Sequence, residues 1–408
     1  MDIDHRVGTS TAEAGASELD IEDLAPMTDG VGLAIDVGTT TVALLALDGR
    51  GRVIATDAFM NPQRSMGADV MSRLSMICED GSAAEKMRRL LFSRIAKSIE
   101  DICPEPPGCV ALCGNTVMEH IAAGLDARGI AQYPFTPSSL LGDTYELPFT
   151  AAPAYLFPCV AGYVGGDVTA GIVACGLDRT EENVLLLDLG TNGELALSHA
   201  GKIYTASAAA GPAFEGGNLE CGACAGKGII DRVWLDGGEL KWSVDGGGEP
   251  TGICGSAALD ALAALLESGI VDETGAMDDD RYEFTENVWL SDADVRALQL
   301  AKAAICAGVR TLCHSAGIKE EAISRVLIAG SFGAHLDPES ALRVGIVPSC
   351  LEGRIESAGN TALRGAALWL CDAEYRRRLE ALKEKLLHVE LSLSKQFNQY
   401  YIEEMTFE

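Results

Sequence analysis

The sequence predicts an α/β protein made of two similar halves, each opening on a β-hairpin with an acidic tip. Three observations carry this. An apolar run at 31–35 leads into Asp36-Val37-Gly38-Thr39-Thr40-Thr41 and then into a second apolar run at 42–47. Asp48-Gly49 and Gly51 supply turn chemistry, and 52–58 reads as a returning strand. Residues 184–206 repeat the pattern of 33–56, with Asp188 on Asp36, Gly190 on Gly38, Thr191 on Thr39 and Gly201 on Gly49. Finally, CVALCGN at 109–115 matches RVLIAGS at 325–331, an apolar strand ending on glycine in both places. A duplication of this kind sets the architecture before any single element does.

The totals suit two or three domains. The chain has 408 residues, 48% of them hydrophobic, and a formal charge of −29 from 31 Lys plus Arg against 60 Asp plus Glu. An acidic surface repels nucleic-acid phosphates and anionic lipid, so neither is expected as a partner. Thirteen scattered cysteines and no secretory signal at the Met-Asp-Ile-Asp start point to reduced thiols in a cytoplasm. No apolar run is long enough to cross a membrane as a helix.

Taken in order, residues 1–29 are acidic and small, without a period, and read as a mobile leader. The first half is expected over 30–157 and the second over 158–408. After the first hairpin, Asn61-Pro62-Gln63 is a polar turn, and 67–76 and 83–102 have helical spacing, stopped by Pro104 and Pro106-Pro107. Residues 110–113 form a short buried strand, and Gly114-Asn115-Thr116 caps a helix towards Ala123. The stretch 133–155 is Pro-rich and reads as an irregular surface connection. A small-residue helix follows at 169–175.

The second hairpin leads into Gly211-Pro212-Ala213-Phe214-Glu215-Gly216-Gly217. Residues 231–300 have no counterpart in the first half and read as an inserted subdomain, with a helix at 257–266. A long Ala-rich helix is expected at 292–311, then a strand at 326–329 ending on Gly330-Ser331-Phe332-Gly333. Gly359-Asn360-Thr361 caps another small-residue helix, and 375–387 reads as a charged amphipathic helix.

The two hairpin tips hold the chemistry. Gly38 lets backbone approach a ligand closely, and neighbouring N–H groups and hydroxyls suit a phosphate. Asp36 and Asp188 each end a buried strand, where a carboxylate is costly unless a cation or hydrogen bonds meet it. Together they suit a hydrated Mg²⁺ on phosphates, with one orienting the attacking water. An Asp that merely caps its turn is the plainer reading, which the duplication disfavours. Gly330 and Gly333 after a strand suit close approach to a flat ring such as adenine, although a simple strand-to-helix turn would look the same.

Other motifs point elsewhere or nowhere. GACAGKG at 222–228 lacks the earlier Gly and the following Ser or Thr of a P-loop. Cys221-Gly222-Ala223-Cys224 is the only C-x-x-C, and paired thiols in a tight turn are a simpler account than a metal site. His120, His314 and His335 have no metal spacing and are expected at the surface or at helix ends. No Ser-His-Asp set is evident.

These residues resemble the acetate and sugar kinase, Hsp70 and actin superfamily. Asp36-x-Gly38-Thr39 and Asp188-x-Gly190-Thr191 look like its two phosphate motifs, and 326–333 like its adenosine motif. Gly216-Gly217 resembles the double glycine that touches phosphate in the chaperones. The resemblance is closer to the ATP-dependent reductive activators of corrinoid proteins with an ASKHA domain. It runs through Asn61-Pro-Gln63, Asp69-Val-Met-Ser-Arg73, Gly114-Asn-Thr-Val-Met-Glu-His120, Gly162-Tyr-Val-Gly-Gly-Asp167, Asp188-Leu-Gly-Thr-Asn-Gly-Glu194 and Gly211-Pro-Ala-Phe-Glu-Gly216. It continues through Gly252-Ile-Cys-Gly-Ser256, Gln299-Leu-Ala-Lys-Ala-Ala304 and Gly330-Ser-Phe-Gly333, covering about 31–408.

The resemblance implies a duplicated actin-like, ribonuclease H-like ATPase fold with two lobes around a nucleotide cleft. It implies return of an adventitiously oxidised Co(II) corrinoid to Co(I), coupled to ATP. Asp36 and Asp188 would hold Mg²⁺ and water. Gly38, Thr39, Thr40, Gly190, Thr191, Asn192, Gly216 and Gly217 would meet phosphates, and Gly330 and Gly333 would flank adenine. Typical members carry a [2Fe–2S] ferredoxin domain; here no cysteine precedes Cys78. The expectation is therefore an ATPase body without an iron–sulfur cluster, served by a separate low-potential electron donor, with a corrinoid protein as partner and a homodimer compatible with the family. A small-molecule kinase of the same superfamily, an iron–sulfur activator of the 2-hydroxyacyl-CoA dehydratase type using Cys221 and Cys224, and a non-enzymatic scaffold are the competing readings.

Overall fold

A computed structural model describes residues 30–333 and 335–407. The leader expected at 1–29 lies outside them. Two compact units account for the chain. The first takes in residues up to Thr180, with Gly201–Ile203 and Gly359–His388; the second takes in Glu181–Ala200, Tyr204–Ala358 and Val389–Glu408.

The first unit opens with β1 (Gly32–Val37), β2 (Thr41–Leu47) and β3 (Val53–Met60). Helices α1 (Val70–Glu79) and α2 (Ala83–Ile102) precede β4 (Cys109–Gly114) and α3 (Thr116–Ala123). Strands β5 (Leu141–Tyr145) and β6 (Ala154–Pro158) then lead to α4 (Gly166–Ala174). The six-stranded sheet runs β3-β2-β1-β4-β6-β5. Strand β1 is antiparallel to β2 and parallel to β4. Leu33, Ile35, Val37, Leu44, Val110 and Leu112 on one face meet Leu74, Leu91, Ile95 and Ile121 of the helices in a single apolar core. The stretch read as irregular at 133–155 contains β5, antiparallel to β6 at the sheet edge. Its polar, half-exposed residues carry too weak an alternation to signal a strand, and pairing decides the matter.

The second unit repeats the plan with β7 (Val184–Leu189), β8 (Gly193–His199) and β9 (Lys202–Ala208). After β9 come β10 (Ile229–Asp236), β11 (Glu239–Val244), β12 (Gly252–Ile253), α5 (Gly255–Ser268), β13 (Arg281–Thr285) and β14 (Val288–Ser291). Helix α6 (Asp292–Ala316), β15 (Arg325–Ala329), α7 (Pro338–Val344) and β16 (Ile355–Gly359) follow. Helix α6 starts on a capping box, Ser291 accepting from the Asp294 N–H and Asp294 reaching back. Through its first five strands the sheet reads β16-β15-β7-β8-β9. Strand β15 is parallel to β7 with Ala329 opposite Asp188, and β7 is antiparallel to β8 with Glu194 opposite Asp188. The order β9-β8-β7-β15 matches β3-β2-β1-β4, so the internal repeat seen in the sequence is a repeat of sheet topology.

After β16 the chain returns to the first unit as α8 (Thr361–Cys371) and α9 (Ala373–Leu382), shorter than the helix read over 375–387. Gly365 of α8 lies so close to Ala170 of α4 that a Cβ would sit 2.6 Å from its carbonyl oxygen. Tyr375 donates to the same carbonyl at 2.8 Å. The sequence-based boundary at 157/158 falls at the last residue of β6, inside this unit. A last helix, α10 (Lys395–Glu403), lies against α6 in the second unit.

Candidate nucleotide site

In the first unit the hairpin register ends at Val37 opposite Val42, leaving Gly38-Thr39-Thr40 as the tip. A Cβ on Gly38 would come within 2.6 Å of the Thr41 carbonyl oxygen, so the tip closes this tightly only with glycine there. All three tip carbonyls are taken up from behind. Asn61 donates its side-chain amide to the Gly38 oxygen at 2.8 Å and its backbone N–H to the Thr40 oxygen at 2.8 Å. Arg73 donates to the Thr39 oxygen at 2.7 Å. A trans peptide points its N–H opposite to its C=O. The N–H groups of Thr39, Thr40 and Thr41 therefore face away from Asn61 and Arg73, the orientation an anion requires. Asn115, which caps α3 by accepting from the Met118 N–H, donates to the Thr39 hydroxyl oxygen at 3.0 Å.

Asp36 sits one residue before the end of β1, half-buried, between Ala43 and Cys113. Asn360, the N-cap of α8, donates to its Oδ2 at 2.9 Å. Burial pushes the Asp36 carboxyl up to about 6, outweighing the lowering effect of that bond. A carboxyl so placed gains from a cation beside it, so the residue present fits a hydrated Mg²⁺. Among the described residues no group of three or more His, Cys, Asp or Glu is arranged to hold a metal.

In the second unit Asp188 holds the place in β7 that Asp36 holds in β1. Gly330 follows β15 with φ +90°, and a Cβ there would lie 2.7 Å from Asp188 Oδ1 and 2.8 Å from the Leu189 oxygen. Only glycine lets the two segments meet. The Gly190 N–H is bonded to the Asn192 oxygen at 3.0 Å, which closes the tip Gly190-Thr191-Asn192 on itself. The Thr191 hydroxyl donates to Glu215 at 2.6 Å. Gly216 and Gly217 turn away from Glu215 beside the backbone of Ala223 and the ring of Pro212. Gly333 is pressed against Ile328 of β15, and Phe332 stacks on Phe214 at 5.1 Å between ring centres.

Five side chains around these tips were not among the predicted site residues: Asn61, Arg73, Asn115, Glu215 and Asn360. The first three and Glu215 lie in strings that carried the family resemblance, which was the available signal. Asn360 was visible only as a helix cap. His120 is at a helix end, one of the two places expected for it, but not at the surface. It sits in the last turn of α3 but is fully buried, its Nδ1 2.7 Å from the Thr116 oxygen. Burial lowers its tendency to protonate. Cys221 is half-buried, Cys224 is exposed, and both are free thiols. The Gly226-Lys227-Gly228 stretch enters strand β10, where a P-loop would enter a helix.

Comparison with known proteins agrees with this architecture. Residues 31–180 match the RACo middle region, and residues 182–408 match the C-terminal domain of RACo, the ASKHA domain. The corrinoid activation enzyme RamQ of Eubacterium limosum is 32% identical over 412 residues, covering 91% of this chain and 69% of that protein. The [Co(II) methylated amine-specific corrinoid protein] reductase of Methanosarcina barkeri is 25% identical over 423 residues, covering 92% and 77%. The solved structure of a reductive activator for corrinoid, iron–sulfur protein superposes with a TM-score of 0.83 at 33% identity. It spans 93% of this chain, whereas this chain spans 66% of it.

Proposed function

Since the chain belongs to the RACo family and carries its ASKHA domain, we propose that it is the ATPase body of a reductive activator of corrinoid proteins. The observation that carries the ATPase part is the twice-built hairpin, with Asp36 and Asp188 at equivalent places in matching sheets. The corrinoid part rests on the named activities of the two relatives that align with most of this chain.

In this reading the amides of the Gly38-Thr39-Thr40 tip bind phosphate oxygens, held in place by Asn61, Arg73 and Asn115. Gly190, Thr191 and Asn192 serve the same purpose in the second unit, with Gly216 and Gly217 nearby in sequence. Gly330 and Gly333 flank adenine. When bound, Mg²⁺ would neutralise charge on the phosphates, and Asp36 and Asp188 are the residues that would hold it through water. Asn360 holds the Asp36 carboxylate in its rotamer. Glu215, bonded to Thr191, is positioned to fix that hydroxyl. One electron passes from a separate low-potential donor to Co(II), giving Co(I) and the oxidised donor. Hydrolysis of ATP to ADP and phosphate offsets the uphill transfer by favouring a different conformation of the partner.

The test is anaerobic reduction of a Co(II) corrinoid protein with ATP, Mg²⁺ and a low-potential donor, with and without this chain. Co(I) that appears only with chain and ATP, and is lost in Asp188→Ala, is the expected result. No Co(I) from a partner that another activator reduces would overturn the proposal.

A further inference from the structure

Arg73 is fully buried, the largest side chain so enclosed among the described residues. Its guanidinium reaches only neutral acceptors: the Gly67 oxygen at 2.9 Å, Gln63 Oε1 at 3.2 Å, Met118 Sδ at 3.0 Å and the Thr39 oxygen at 2.7 Å. Among the described residues it forms no ion pair within hydrogen-bonding reach, although the Asp69 carboxylate favours its charge and the Arg64 cation opposes it. Burial lowers its proton affinity to about 10, which leaves it a cation at neutral pH. Buried charges are normally paired, because an isolated one is costly. In a chain of net charge −29, with 60 carboxylates available, the absence of a partner here is a choice of placement.

Gln63 makes the point more sharply. It too is fully buried and sits against Arg73, where a glutamate of the same shape would have neutralised the guanidinium. The bond from Arg73 to the Thr39 carbonyl polarises the Thr39–Thr40 peptide, whose N–H lies at the opposite end. The unpaired charge thus faces the tip from behind, and the tip is the phosphate-binding element of the proposed function.

On that reading, we infer that Arg73 is a positioning residue which supplies a buried positive field behind the Gly38-Thr39-Thr40 tip, and that the nucleotide phosphates are its counter-charge. Gln63 preserves the field by remaining neutral. The contribution grows with the charge on the nucleotide, so it distinguishes ATP from AMP. A residue that only held the loop in shape would weaken every nucleotide alike.

The experiment measures nucleotide binding by calorimetry, first with Mg²⁺ for the unaltered chain, then with divalent cations chelated, where nucleotide charge rises from AMP through ADP to ATP, for the unaltered chain and for Arg73→Gln, Arg73→Lys and Gln63→Glu, with thermal unfolding of each. Arg73→Gln is expected to weaken ATP by about tenfold and AMP by only about twofold, a single charge acting through a partly screened interior. Arg73→Lys keeps the charge and restores most of the ATP-to-AMP ratio. Gln63→Glu is the decisive variant should Arg73→Gln fail to fold. It pairs the buried cation, leaves the fold at least as stable to heat, and still weakens ATP by about tenfold and AMP by only about twofold. An equal factor for all three nucleotides, or ATP binding unchanged in Gln63→Glu, overturns the inference and leaves the proposed function standing. No nucleotide binding by the unaltered chain overturns the proposed function and this inference with it.

Discussion

Gly330→Ala tests the second unit where the geometry is tightest. The backbone there has φ +90°, a conformation that side chains other than glycine rarely adopt. Strain of this kind costs roughly 1–2 kcal/mol. The new methyl would also stand 2.7 Å from Asp188 Oδ1 and 2.8 Å from the Leu189 oxygen, both of which belong to the end of β7. Relief requires either β15 or β7 to shift, and overpacking of that sort costs about 1–3 kcal/mol. The sum is a loss of about 2–5 kcal/mol in unfolding free energy. Any shift of Asp188 displaces the carboxylate proposed to act on the Mg²⁺ water shell, and a misplacement of about 1 Å costs on the order of a hundredfold in turnover. Urea unfolding and steady-state phosphate release, measured on the same preparation, read both quantities. A Gly330→Ala protein within 0.5 kcal/mol of the original (roughly the noise of a neutral substitution) and with unchanged turnover would refute the reasoning.

Three further outcomes follow from other parts of the molecule. Asn61→Ala removes the donor to the Gly38 oxygen and frees the tip to move; ATP affinity should fall about tenfold, while stability falls by about 1–3 kcal/mol, as titration calorimetry and denaturant melts would show. Glu119 is buried beside Cys159 and the Phe157 N–H, and burial raises its carboxyl well above the ordinary value. The folded state then binds more protons than the unfolded one, so this stability is full below about 4.5 and is lost as pH rises towards the folded pKa. Across that window Glu119→Gln should gain on the original by up to about 1.4 kcal/mol per pH unit, and a difference independent of pH would contradict it. Lys302→Met leaves the Thr406 carbonyl, which Lys302 meets at 2.6 Å, without its donor; protease cleavage after residue 400 should accelerate several-fold at a stability cost of about 1–3 kcal/mol.

The paired hairpins were legible because their signals are local. Turn residues at fixed offsets, apolar runs on either side and a recurring Asp-x-Gly-Thr all fall within two dozen residues, and β1–β2 and β7–β8 form where the pattern places them. The helices expected over 83–102 and 292–311 were legible for the same reason, since helical spacing acts along the chain, although the second runs on to Ala316. What supports the tip was not. Asn61 is 23 residues from Gly38, Arg73 is 34 from Thr39 and Asn115 is 76 from it. Each looked locally like a turn, a helix residue or a cap, and only folding makes a single shell of them. The partner of Asp36 is farther still, 324 residues away at Asn360.

By itself, then, the sequence determined the α/β class, the internal duplication, the two acidic tips and the family. Each of these is written in side-chain types at short spacing, where turn propensity and hydrophobic period act without help from distant residues. Only the tertiary structure decided that 359–388 returns to the first unit, that β5 pairs at its edge, that His120 is enclosed and that the Arg73 guanidinium is met only by neutral hydrogen-bond acceptors. Those are outcomes of which surfaces meet. Burial and pairing are properties of the assembled core, and no window of the chain contains them.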